Sequence, residues 1–127
     1  MVTQTQRPKN LDLLRFRLPM VGIASIAHRI SGVLMFLAIP IFIYLLQQSL
    51  SGEEGYRQVA DLMSSVVFRL VVVAMVWALV HHLCAGVRYL LLDIDVGVEK
   101  TAARQSALIV LVIGAVAALA TFVGVFA

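Results

Sequence analysis

An all-α membrane protein with three spanning helices is the fold this sequence predicts, and three observations carry the prediction. Of its 127 residues 61% are hydrophobic, well above the roughly 45 to 50% of a soluble domain. Mean hydropathy is +0.98. The apolar residues fall into three uninterrupted runs, at about residues 22–50, 66–92 and 106–127, each longer than the roughly 20 residues a helix needs to cross about 30 Å of hydrocarbon. Lipid offers the backbone no hydrogen-bond partner, and the runs are continuous rather than alternating, so each should be helical rather than part of a barrel.

The elements follow in order. In the N-terminal segment, residues 1–21, the first ten residues are mainly polar and no short apolar stretch ending in a small-residue cleavage site follows, so the first span is expected to remain in the mature chain. Span one contains Pro40, which removes one backbone donor and favours a kink there. The polar stretch from Gln47 to Gly55 closes it, and Tyr56 to Ser65 has the makings of a brief interfacial helix. Span two holds the single cysteine, Cys84, which has no internal disulfide partner and reads as a packing residue. Asp93 to Lys100 turns the chain into span three, where Gly114, Ala115, Ala117, Ala118 and Ala120 suit close helix packing and make it a scaffold. One membrane-anchor domain, 1–127, accounts for the whole sequence.

Basic residues set the expected orientation. Arg7, Lys9, Arg15, Arg17, Arg29, Arg88, Lys100 and Arg104 lie around the N-terminus and second loop, against Arg57 and Arg69 around the first. This distribution puts the N-terminus in the cytoplasm and the C-terminus on the periplasmic side. The net charge of +3 is explained by that positive rim, and the interleaved aromatic and basic residues of a nucleic-acid platform are missing.

Ionisable groups at membrane depth are costly, so they point to function. Span one opens with Ser25, His28, Arg29, Ser31 and Gly32; span two closes with His81, His82, Gly86, Arg88, Tyr89 and Asp93. At about 100° per residue, Ser25, Arg29 and Gly32 share a face of span one with His28 beside it. His82, Gly86, Tyr89 and Asp93 share a face of span two, with His81 turned about 100° away toward the side of Arg88. Glycine and alanine around one imidazole leave the space a flat macrocycle needs, and histidine is a common axial ligand of haem iron. At 1.5 Å per residue the two clusters differ in depth by roughly 10 Å or less, so iron near His82 and haem carboxylates near Arg29 and His28 are compatible. Plainer roles stand beside these: an interhelical hydrogen bond for His82, snorkelling for Arg29 and a bond back to the helix for Ser25. The histidine doublet leaves His81 open as the ligand.

Three segments together, Arg7-Pro8-Lys9-Asn10-Leu11-Asp12-Leu13, Ser25-x-x-His28-Arg29-x-Ser31-Gly32 and His82-x-x-x-Gly86-x-Arg88-Tyr89-x-x-x-Asp93, resemble the large cytochrome b membrane anchors of bacterial succinate dehydrogenase. The likeness spans nearly the whole chain. It implies a helical bundle completed by a smaller membrane anchor, one b-type haem shared between the two, and His82 as this chain's axial ligand. It further implies that Ser25 and Arg29 belong to a ubiquinone pocket, with His28 and Arg29 near the haem propionates, and that a flavoprotein and an iron-sulfur subunit deliver electrons from succinate. The expected location is the bacterial inner membrane, with lipid and quinone as further partners.

Reduction places negative charge on the quinone oxygens, which a hydroxyl at Ser25 and a fixed cation at Arg29 would stabilise. Two rivals are a haem-free membrane scaffold and a small transporter-like subunit. The second normally needs an acidic residue within a span, and the interiors of these three spans contain neither Asp nor Glu.

Overall fold

The computed structural model describes residues 18–127. The expectations for the N-terminal segment, including the seven residues from Arg7 to Leu13, therefore lie largely outside the described part. Four helices follow in order: α1 (Met20–Ser49), α2 (Glu53–Ser64), α3 (Val66–Asp93) and α4 (Lys100–Phe126). There is no strand among the described residues. α1, α3 and α4 are each long and apolar enough to cross a membrane; α3 packs against both of the others.

Small side chains explain how closely the helices approach. Ala24, Ser31 and Ala38 recur every seven residues on the buried stripe of α1, and Ala78, His81, Ala85 and Arg88 follow one another at three- and four-residue spacing on that of α3. Ala107, Val110 and Gly114 form the facing stripe on α4. Association in lipid relies on van der Waals contact rather than water exclusion, so stripes of this kind let backbones come together. Most large apolar residues point outward, as in Phe36, Leu79 and Leu119.

Two arginines tie α3 to α4 at opposite ends. Near the second loop, Arg88 donates from Nε to Ser106 Oγ at 2.9 Å and from Nη2 to the Ala103 carbonyl at 3.0 Å. At the other end Arg69 donates from Nη1 to the Val125 carbonyl at 3.2 Å. That places a cation on the negative end of the α4 dipole, where the last carbonyls lack helical partners.

The first two spans begin and end close to the expected positions, and α1 runs without a break through Pro40. Two boundaries differ. The third helix starts at Lys100 rather than near 106, because hydropathy marks where lipid begins, whereas Thr101-Ala-Ala-Arg-Gln is helix-competent in water. The interfacial helix starts at Glu53, ahead of the expected Tyr56, with Glu53 and Glu54 in its first turn where the helix dipole favours acidic groups. Gly55 sits directly on the end of α1: a β-carbon there would clash with Ser51 Oγ and the Gln48 carbonyl oxygen. Asp95 and Gly97 take positive φ (61° and 79°) in the tight turn between α3 and α4.

Candidate functional site

The crossing of α1 and α3 brings the two polar clusters together. His28 and His82 lie face to face, ring centroids 4.0 Å apart and planes within 14°. Tyr89, two turns further along α3, meets the edge of His28 at 5.2 Å. Gly32 and Gly86 make room. A β-carbon at Gly32 would come within 3.0 Å of His82 Cε1, whereas one at Gly86 would have only His28 Nε2 near it, at 3.9 Å.

The hydrogen bonds around His82 define where its proton sits. Ser31 Oγ lies 2.8 Å from the His28 carbonyl oxygen, which can only accept, so the serine proton points there. His82 Nδ1 lies 3.1 Å from the same carbonyl and 3.2 Å from Ser31 Oγ. With its own proton committed, the serine oxygen also presents only lone pairs to the ring. Both neighbours therefore require a proton on Nδ1, and in a neutral imidazole that leaves the lone pair on Nε2.

His81 has a different setting. It is completely buried on the α4 side of α3, stacked on Trp77 with centroids 5.6 Å apart. Gly114 of α4 lies so close that a β-carbon there would be 3.2 Å from His81 Cβ and 3.3 Å from Nδ1. Neither ring nitrogen has a hydrogen-bond partner. Arg88 faces the same helix, in keeping with the shared side that helical periodicity assigns to it and His81.

Ser25 is half-buried and Arg29 exposed on α1. His28, Gly32, His82 and Gly86 thus meet at the α1–α3 crossing. The sequence reading missed two features. Ser31 proves to touch the His82 ring, a contact hinted at only by its place three residues after His28. Arg88 is a buried strut to α4 rather than an interfacial charge.

Among the described residues no three His, Cys, Asp or Glu side chains gather to hold a bare metal ion. The half-buried His82 imidazole, with a free Nε2 lone pair, suits iron that arrives already held in a macrocycle, which asks the protein only for axial ligands. A multi-pass helical membrane subunit, with two stacked imidazoles at the crossing of two of its spans, is the class that this fold and site define.

Residues 3–121 match the family model described as the succinate dehydrogenase/fumarate reductase transmembrane subunit. The chain belongs to that family. It is similar to proteins named succinate dehydrogenase cytochrome b556 subunit. The one from Coxiella burnetii is 36% identical over 113 residues, covering 88% of this chain and 90% of that protein. Its counterpart from Rickettsia felis is 33% identical over 92 residues (72% and 71%), and that from Paracoccus denitrificans 29% over 105 residues (83% and 81%).

Proposed function

We propose that this chain is the haem b-binding membrane anchor of a bacterial succinate dehydrogenase, respiratory complex II, and contributes to its ubiquinone-reduction site. The observation that carries the reading is the pair of oxygens beside His82 Nδ1, the His28 carbonyl at 3.1 Å and Ser31 Oγ at 3.2 Å. A proton held there leaves the Nε2 lone pair as a ligand. Ligating histidines commonly donate their other ring N–H to such an acceptor, which fixes orientation and raises basicity.

Bound there, the haem would supply one-electron redox chemistry. His82 would hold its iron, while His28 and Arg29 would lie toward its carboxylates. With His28 assigned to the carboxylates, this chain supplies one axial imidazole, and the second would come from a smaller anchor subunit. Ser25 and Arg29 would bind the quinone: the hydroxyl donates to a carbonyl oxygen and the guanidinium, always charged, stabilises negative charge arising there. Protons must come from another group. The flavoprotein and iron-sulfur subunits would dock at the cytoplasmic end, near the N-terminus and the α3–α4 turn, with the C-terminus periplasmic in the inner membrane.

Substituting Ser25→Ala in the intact complex tests the division of roles. Quinone reductase activity should fall while haem per complex stays native; equal loss of both would contradict it.

A further inference from the structure

We infer that Ser31 is a positioning residue for the axial ligand, its hydroxyl holding the His82 ring so that Nε2 faces the cofactor. This rests on the proposed haem reading and extends it to a residue with no role in that reading so far. Ser31 lies on the buried stripe of α1, with none of its surface exposed, directly against α3. A serine in the middle of a helix commonly satisfies itself by bonding back to a carbonyl, and Ser31 does so. That bond has a second effect here. Turning the hydroxyl proton to the His28 carbonyl aims the oxygen lone pairs at His82 Nδ1, 3.2 Å away.

His82 is thereby held on three sides. The His28 carbonyl and Ser31 Oγ take its Nδ1 proton from one edge, the His28 ring covers one face, and Gly32 leaves space for Cε1 that a β-carbon would crowd. Without the hydroxyl, one acceptor remains at 3.1 Å and the ring gains freedom to pivot about its Cβ. Acceptors at Nδ1–H also strengthen Nε2 as an electron donor. Ser31 therefore acts on the iron only through His82.

The test uses the intact complex in membranes, with Ser31→Ala and Ser31→Thr compared against the native chain. Changes to the outer hydrogen-bond partners of ligands typically weaken metal binding about 10- to 100-fold. Ser31→Ala is expected at the lower end, with roughly tenfold faster haem loss after solubilisation, a raised haem midpoint potential and unchanged assembly of the anchor. Ser31→Thr, which keeps the hydroxyl, should hold the native potential. Native potential and haem retention in Ser31→Ala would overturn the inference. Equal shifts in both variants would also overturn it, by making volume rather than the hydroxyl the cause. Absence of haem from the native complex is a separate outcome that removes the underlying reading itself.

Discussion

Gly32→Ala is the substitution whose effect can be worked most directly from the geometry. The new methyl carbon would lie 3.0 Å from His82 Cε1 and 3.4 Å from Nδ1, against an ordinary carbon–carbon separation of about 3.5 to 4.0 Å. Relief requires the ring to retreat by a few tenths of an ångström. The ring is held by contacts of 3.1 and 3.2 Å at Nδ1, so such a shift lengthens and weakens one or both. A neutral hydrogen bond contributes about 0.5 to 1.5 kcal/mol, and replacing a mid-helix glycine by alanine returns about 1 kcal/mol through helix propensity. The two terms nearly cancel in stability but not in function, because only the first concerns the ligand. The expected result is a complex that assembles at native abundance and loses haem about tenfold more readily, since 1.4 kcal/mol corresponds to a factor of 10. The assay is haem per assembled complex through successive detergent washes. Full retention in Gly32→Ala would refute the idea that this glycine seats the ring. Gly86→Ala, whose methyl would meet only His28 Nε2 at 3.9 Å, supplies the contrast within the chain.

Three further outcomes follow from the packing. Gly114→Val should push α3 and α4 apart, because one β-carbon alone would already meet His81 Cβ, His81 Nδ1 and Trp77 Nε1 at 3.2 to 3.3 Å; overpacking of this size costs about 1 to 3 kcal/mol, readable as a lower thermal midpoint of the complex. Arg88→Met keeps much of the stem's packing but removes the two bonds to Ser106 and Ala103. Hydrogen bonds from a charged group contribute about 1.5 to 3 kcal/mol each, so reduced anchor abundance at elevated temperature is expected, with the haem spectrum of the surviving complex unchanged. Gly55→Leu should dislodge α2 from the end of α1, increasing protease cleavage near residue 52 without altering haem content.

The spans were legible because lipid writes its thickness into hydropathy, and Leu, Val and Ile fill all three runs. The start of α4 was not, since Lys100 to Gln105 is helical for reasons hydropathy does not measure. Periodicity alone put Ser25, Arg29 and Gly32 on one face and separated His82 from His81. It left unresolved what each imidazole meets, because that depends on the register between α1 and α3 and on Gly114 arriving from α4. Ser31 illustrates the same limit: its position on α1 was plain, yet its contact with a residue 51 places later exists only once the helices cross.

The central claim, that His82 rather than His81 holds a haem iron, is tested most directly by reduced-minus-oxidised visible spectra of membranes containing the intact complex. His82→Leu and His81→Leu are compared with the native chain at matched subunit abundance. The account predicts a b-type α band in the native complex, retained in His81→Leu and lost in His82→Leu. A native complex without that band, or one whose band survives His82→Leu, would contradict it.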